Sequence, residues 1–189
     1  MTTISVFIAT IAVAVAPIVS VDSTASAQSR VGSDSATRMA RFGRDLPYGT
    51  VEGLGYAGID QWRNNPVQWG TGWAGYGRRA ASNIGEFYIQ EITTAGLAAA
   101  TNHPLNYAKC DCKVFADRVG NALRGALFDK MPSGRQALAG PRIVGAYVGS
   151  LAQASWRPTP PIGRLQTALI NGTTSFATGA LINLYHEFR

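Results

Sequence analysis

Apolar residues recur at intervals of three and four along much of this chain, which is the spacing of one face of an α-helix. The clearest example is residues 78–100, where one face carries Ala81, Ile84, Tyr88, Ile92 and Ala95. The opposite face carries Arg79, Asn83, Glu86 and Gln90. This pattern predicts a long amphipathic helix that packs through its apolar face and exposes its polar face.

Helical spacing also extends over residues 48–62, 114–128, 143–156 and 165–185. The last two stretches are joined by the proline-rich segment 157–161, so we expect them to form a helical hairpin. No stretch sustains the apolar–polar alternation of a strand. The sequence therefore predicts an all-α fold, a helical bundle of about five or six Gly-rich helices.

The first residues have the pattern of an export signal. An almost unbroken apolar run, 4–21, is followed by Ala25-Ser26-Ala27, which is typical of a signal peptidase site. This predicts a signal peptide at 1–27, a flexible Ser-rich lead-in at 28–37 and a single helical domain at 38–189. An uncleaved membrane anchor is the alternative, because about 18 apolar residues are enough to cross a bilayer. The predicted location is the periplasm or the cell-envelope membrane.

Composition narrows the class of protein and its partners. Apolar residues make up 46% of the chain and charged residues only 15%, which excludes a disordered acidic tail and a coiled coil. The net charge is +6. For an exported protein, this charge favours an anionic membrane or envelope surface as partner over nucleic acid. The alternative is scattered, solvated Arg with ion pairs such as Arg79 with Glu86.

The predicted hairpin is compatible with two environments. Residues 165–185 contain no charged side chain, yet they include Asn171 and Asn183, so a membrane-inserted and a soluble helix both remain open. Small residues allow helix backbones to approach closely in either environment. The candidate helix-packing residues are Gly145, Gly149, Gly172 and Gly179. A protein partner or a second copy of the chain is the other kind of partner that we consider.

Gly70, Gly72 and Gly75 match the dinucleotide-binding pattern G-x-G-x-x-G. That pattern requires a preceding buried strand, which residues 64–69 do not provide, so no cofactor is predicted. Instead, we expect these glycines and Gly77 to allow positive φ or close backbone contact. Trp69, Trp73 and Tyr76 are expected to pack over the end of the long helix.

Reactive side chains are few. Cys110 and Cys112 are compatible with a local disulfide, a bond to another chain or, with His103, a metal site, although a single Cys pair is weak evidence for metal. Neither His103 nor His186 belongs to a recognisable catalytic pattern, which argues against an enzyme. A periplasmic enzyme or small-ligand carrier would instead need Arg79, Ser82, Glu86 and His103 around one cleft. An outer-membrane β-barrel is a further alternative, but its series of alternating segments is not evident.

One segment resembles a family of uncharacterised bacterial exported proteins. The resemblance covers about residues 40–158, and its most specific part is the W-G-x-G-x-x-G-Y-G-x-R-x-x-S segment, made of Trp69, Gly70, Gly72, Gly75, Tyr76, Gly77, Arg79 and Ser82. It implies export and a shared helical core without assigning chemistry. With the patterns above, it favours an exported, envelope-associated protein with a structural or interaction role, associated with the membrane through its C-terminal hairpin.

Overall fold

The computed structural model describes residue 43 and residues 46–131, 134–158 and 162–189. The predicted signal peptide and lead-in lie outside these residues. The described residues form an all-α bundle, as predicted, with one short two-stranded sheet. Its elements in chain order are α1 (46–62), a 3₁₀ turn (Val67–Trp69), α2 (Gly72–Thr101), α3 (Phe115–Arg124), β1 (Phe128–Lys130), β2 (Gln136–Leu138), α4 (Gly140–Trp156) and α5 (Arg164–Phe188).

The start of α2 and the end of α3 differ most from the sequence prediction. Helix α2 begins at Gly72, six residues before Arg78, because the backbone turns at Gly70 and Gly72, where φ is +70° and +84°. Helix α3 ends at Arg124 rather than continuing to residue 128. An antiparallel hairpin follows, with Phe128 paired to Leu138. Each of its strands has three residues, too few for alternation to be recognised in the sequence.

The helix contacts run from α2 through α4 and α5 to α3. Helix α4 packs against α2, α5 packs against α4, and α3 packs against α5. A Cβ atom at Gly145 would lie 2.8 Å from the carbonyl oxygen of Gln90, and one at Gly149 would lie 3.0 Å from that of Glu86. Gly172 meets the ring of Tyr147. A Cβ at Gly179 would meet no described atom within 4 Å, so close approach is confined to the first three glycines.

Large polar side chains are buried in the interior, and many large apolar side chains are exposed. The buried apolar residues of the described chain are all alanines, whereas the largest fully buried side chains are Arg79, Gln153, Glu187 and Ser150. The predicted orientation of α2 is therefore wrong. Ile92 is 59% exposed, while Glu86 and Gln90 line the interior. The reason is that α4 presents polar groups to α2, including Ser150, which donates a hydrogen bond to Glu86.

Large apolar side chains lie on the outside of the α4–α5 hairpin. Val144, Val148 and Leu151 form an exposed stripe on α4, and Ile170, Leu181 and Tyr185 form one on α5. We call these six residues the outer stripes. Among the described residues, none of the helices is sufficiently long and apolar to span a membrane.

Replacing Gly145 with Ala is expected to lower the free energy of unfolding by about 1–3 kcal/mol, because the new methyl group would overlap the α2 backbone. Gly96 is the matched control, since a Cβ there meets open space. Gly96→Ala is expected to raise stability by about 0.5–1 kcal/mol through helix propensity. Urea unfolding of both variants measures these changes. Equal effects would contradict the close α2–α4 contact.

Candidate functional site

Arg79 is completely buried and all five of its N–H groups are used. Nε donates to the carbonyl oxygen of Asn65 at 2.9 Å. Nη1 donates to Gln61 Oε1 at 2.6 Å and to the carbonyl oxygen of Gly70 at 2.8 Å. Nη2 donates to Asn64 Oδ1 at 3.2 Å and to the carbonyl oxygen of Pro66 at 2.9 Å. Arg79 therefore fixes the connection between α1 and α2 through amide oxygens alone.

The glycine motif forms the space that Arg79 occupies. A Cβ at Gly75 would overlap the carbonyl oxygen of Gly70 and would lie 2.8 Å from Arg79 Nη1. Gly70 and Gly72 have positive φ, as the sequence predicts. A Cβ at Gly77 would meet no described atom within 4 Å, so the close contact expected there is not found. Trp73 is 89% exposed and does not pack over the helix end as expected. The motif thus positions a guanidinium group and the start of α2.

A second network extends from this connection towards α4. Arg157, directly after α4, pairs with Asp60 at 2.8 Å, and its guanidinium carbon lies 5.7 Å from the ring centre of Trp69. Trp156 Nε1 donates to Ser82 Oγ at 3.0 Å. Gln153 Nε2 donates to Asn83 Oδ1 at 3.1 Å. These bonds attach the end of α4 to both α1 and α2.

A cavity of about 380 Å³ lies beside this network, lined by residues of α1, α2, α4 and α5. Tyr56 of α1 and Thr178 of α5 both line it, and the Tyr56 hydroxyl group lies 3.0 Å from Thr178 Oγ1. Its polar lining residues include Asn83, Gln90, Gln153, Asn171, Thr174 and Ser175. A cavity lined by this many amides and hydroxyl groups is suited to a polar occupant.

Four carboxyl groups line the cavity: Glu52, Asp60, Glu86 and Glu91. Burial raises the pKa of Glu52 above its ordinary value. Burial also raises the pKa of Glu86, against the opposing effects of the Ser150 hydrogen bond and the charge of Arg157, while Asp60 adds to the rise. Glu86 is therefore not the solvated partner of Arg79 that its spacing suggested, because each of the two side chains has other contacts.

The disulfide loop contacts a separate buried carboxylate. Cys110 and Cys112 form a disulfide with each other. The amide of Cys110 donates to Glu187 Oε1 at 2.9 Å, and the hydroxyl group of Tyr107 donates to Glu187 Oε2 at 2.6 Å. Arg118 donates to the Glu187 carbonyl oxygen. Burial opposes ionisation of Glu187, but these hydrogen bonds, one involving Asn121 and the charge of Arg118 outweigh it and lower its pKa.

The candidate groups for a cleft are not brought together. Of Arg79, Ser82, Glu86 and His103, only Glu86 lines the cavity. His103 Nδ1 lies 3.1 Å from Asp129 Oδ2, and Arg142 binds the other oxygen of Asp129 at 2.8 Å. Within the described residues, no group of three or more His, Cys, Asp or Glu side chains is arranged to hold a metal ion.

Several residues of these networks were missed by the sequence patterns. Gln153 and Glu187 lie on apolar-rich helices, where single polar residues do not reveal their partners. Asn64 could have been recognised as a turn residue, since Asn tolerates the positive φ of 49° that it adopts. Its role as a hydrogen-bond acceptor for Arg79 depends on a contact between two residues that are 15 positions apart in the sequence.

Replacing Arg79 with Lys is expected to lower the free energy of unfolding by about 2–4 kcal/mol, because an ammonium group cannot reach all five oxygens and leaves buried acceptors without donors. Arg78→Lys is the matched control at the exposed neighbouring position. We expect it to change stability by less than about 0.5 kcal/mol. Denaturant unfolding compares the two. Similar stabilities would show that the connection does not depend on the guanidinium group.

Replacing Glu187 with Gln is expected to destabilise the chain in a pH-dependent way. The folded-state pKa is lowered below the ordinary value of 4.5, so the ionised carboxylate contributes stability above that pH. This contribution is lost as the pH falls through the lower folded-state pKa. The stability difference between parent and variant should therefore shrink on acidification, as measured by urea unfolding across this range. A difference that does not change with pH would contradict a stabilising charge.

Comparison with known proteins gives no identity for the chain. No family model, curated protein or solved structure matches it. The resemblance of the Trp69–Ser82 segment to bacterial exported proteins stays a prediction.

Proposed function

We propose that this chain is an exported, envelope-associated protein with an interaction role, and that it contacts an anionic membrane surface through the outer stripes of α4 and α5. The observation that carries the proposal is the reversed distribution of side chains. Polar side chains are buried inside the bundle, and large apolar side chains lie outside. Exposed apolar surface of this extent is typical of membrane or protein contact surfaces.

The outer stripes support contact with an apolar phase. Leu181 and Tyr185 are 66% and 61% exposed, and Leu151 is 46% exposed. Burying a side chain of this size is worth about 1.5–3 kcal/mol. Several such residues on one hairpin are enough to drive association.

Charge supports an anionic surface as the partner. The chain has 17 Lys and Arg residues against 11 Asp and Glu residues. Arg189, at the end of α5, lies over the ring of Tyr185, with 5.9 Å between its guanidinium carbon and the ring centre. Basic residues near a membrane surface add about 1 kcal/mol each when the lipids are anionic. This combination places an apolar stripe and a cation at the same end of α5.

The buried networks give the hairpin a defined position. Arg157 ties the start of the α4–α5 connection to α1, and Asn183 Nδ2 ties α5 to the carbonyl oxygen of Ala122 in α3 at 3.2 Å. Hydrogen bonds of this kind fix the relative orientation of the two groups, whereas contacts between alanines do not. These bonds would therefore hold the hairpin in a fixed position with its outer stripes exposed.

The proposal is tested by fractionation of the expressed chain and by flotation with vesicles. We expect the chain to be in the membrane fraction. Retention through high-salt and alkaline carbonate washes would indicate insertion of the hairpin, and release by salt would indicate contact through the basic surface. The purified chain should float with vesicles containing phosphatidylglycerol and bind less to vesicles of phosphatidylcholine alone.

A double variant, Val148→Glu with Leu181→Glu, is expected to move the chain to the soluble fraction. Ile92→Glu is the control, because Ile92 is similarly exposed but lies on α2. Equal losses in both variants, or a soluble parent chain, would overturn the proposal. A soluble parent chain that self-associates through the outer stripes would assign them to a second copy instead.

A further inference from the structure

We propose that the Cys110–Cys112 disulfide is a redox-active site that exchanges with small thiols, and that its oxidation state controls how strongly the end of α5 is bound through Glu187. The substrate class is a low-molecular-weight monothiol and its disulfide, represented by glutathione. The proposal does not depend on the outer stripes or on an anionic membrane. It rests on the position of the disulfide in the chain, on its exposure and on its hydrogen bond to a buried carboxylate.

The spacing of the two cysteines gives the bond little value as a structural crosslink. Only Asp111 separates Cys110 from Cys112. A disulfide stabilises a fold mainly by constraining the unfolded chain, and this effect is smallest for short loops. Both cysteines lie in the segment between α2 and α3, so the bond connects no two elements of the bundle. It therefore restrains only the local backbone of this segment.

The disulfide is accessible to a thiol. Both cysteines are partly exposed, Asp111 is exposed, and residues 103–112 belong to neither a helix nor a strand. Exposed disulfides are typically the labile, regulatory or catalytic ones, whereas structural disulfides resist reduction by glutathione. The chain has only two cysteines, so neither sulfur can pair elsewhere on the same molecule. These features favour a bond that opens and closes in place.

The oxidised segment is hydrogen-bonded to the end of α5. The amide nitrogen of Cys110 donates to Glu187 Oε1 at 2.9 Å, and Glu187 is only 1% exposed. This nitrogen is attached to a Cα atom of the ring that the disulfide closes, so the closed ring restricts the direction of the N–H group. An open ring allows residues 110–112 more backbone conformations. We therefore expect reduction to weaken the hydrogen bond that Cys110 makes to Glu187.

Other contacts keep the segment in place when the disulfide opens. Asn121 of α3 donates to the hydroxyl group of Tyr107 at 2.6 Å and to the carbonyl oxygen of Ala108 at 3.1 Å. The ring of Tyr107 packs against Gly125. None of these contacts involves a residue of the disulfide ring. The two thiols therefore stay close together after reduction, which allows the bond to form again.

The exchange has two steps, and each transfers one bond between sulfur atoms. The thiolate of one glutathione attacks a cysteine sulfur, a mixed disulfide forms, and the other cysteine leaves as a thiolate. The thiolate of a second glutathione attacks the glutathione sulfur of the mixed disulfide and releases the remaining cysteine. The two cysteine thiolates take up the protons that the two glutathione thiols gave up. The chain gains two electrons, and the two glutathione molecules become one oxidised glutathione. The reverse steps close the disulfide again.

The first experiment titrates the purified, oxidised full chain with glutathione buffers of increasing reduced-to-oxidised ratio, in the absence of denaturant. Free thiols are trapped with a maleimide and counted by mass spectrometry. We expect two thiols to appear together and to disappear again in oxidised glutathione. A disulfide that resists reduced glutathione until denaturant is added would overturn the proposal, because the bond would then be structural.

Hydrogen exchange then tests the coupling to α5. We expect the last turn of α5 to exchange faster in the reduced chain than in the oxidised chain. The double variant Cys110→Ser with Cys112→Ser should exchange like the reduced chain, which separates loss of the bond from effects of the reductant. The same exchange rates in the oxidised and reduced chains would overturn the coupling.

The coupling has to be mutual, so Glu187 must favour the oxidised pair by the factor with which oxidation strengthens the Glu187 contact. Glu187→Gln keeps an acceptor for the Cys110 amide but removes the charge, and it should shift the equilibrium towards the dithiol about fivefold. Glu86→Gln is the matched control, because Glu86 bonds Ser150 and not the disulfide segment. We expect it to leave the equilibrium unchanged. An equal shift in both variants, or none in Glu187→Gln, would overturn the proposal.

Discussion

The fold depends on a positive charge that is buried without a carboxylate. The guanidinium group of Arg79 is a cation, so its removal from water has to be offset by hydrogen bonds. Five amide oxygens supply those bonds, and all belong to the short stretch from Gln61 to Gly70. The conformation of this stretch is therefore inseparable from the position of α2, against which α4 packs.

This constraint explains why the interior is polar. Because the polar face of α2 is turned inward at Arg79, the other polar side chains on that face also need hydrogen-bond partners inside the bundle. Ser150 and Gln153 on α4 provide them, and the glycines of α4 let the two backbones come close enough for these short side chains to meet. Bulky apolar residues are left for the outside. A cavity with acidic walls and a surface with apolar stripes are two results of the same arrangement.

The helical class and most helix positions could be predicted from the sequence, because periodic spacing is local. The direction in which α2 faces could not. The spacing along α2 places Ala81 and Ile92 on one face of the helix and Glu86 and Gln90 on the other. Burial of the apolar face is the usual outcome, but the spacing does not require it. The actual outcome depends on partners on α4 that lie far along the chain. Likewise, positive φ at Gly70 and Gly72 could be predicted from the glycine pattern, whereas the residues that accept hydrogen bonds from Arg79 could be identified only in the folded loop.

The cluster around Glu187 has a consequence for the order in which the molecule is assembled. Tyr107 and Cys110 precede Glu187 by 80 and 77 residues, so they leave the ribosome long before their partner does. Contacts over such separations form slowly because a long loop has to close first. During synthesis, the segment around the disulfide must wait for α5, while α1 and α2 already have the residues for the Arg79 bonds. Assembly is thus expected to proceed from the α1–α2 connection towards the disulfide loop, and C-terminal truncation would release that loop first.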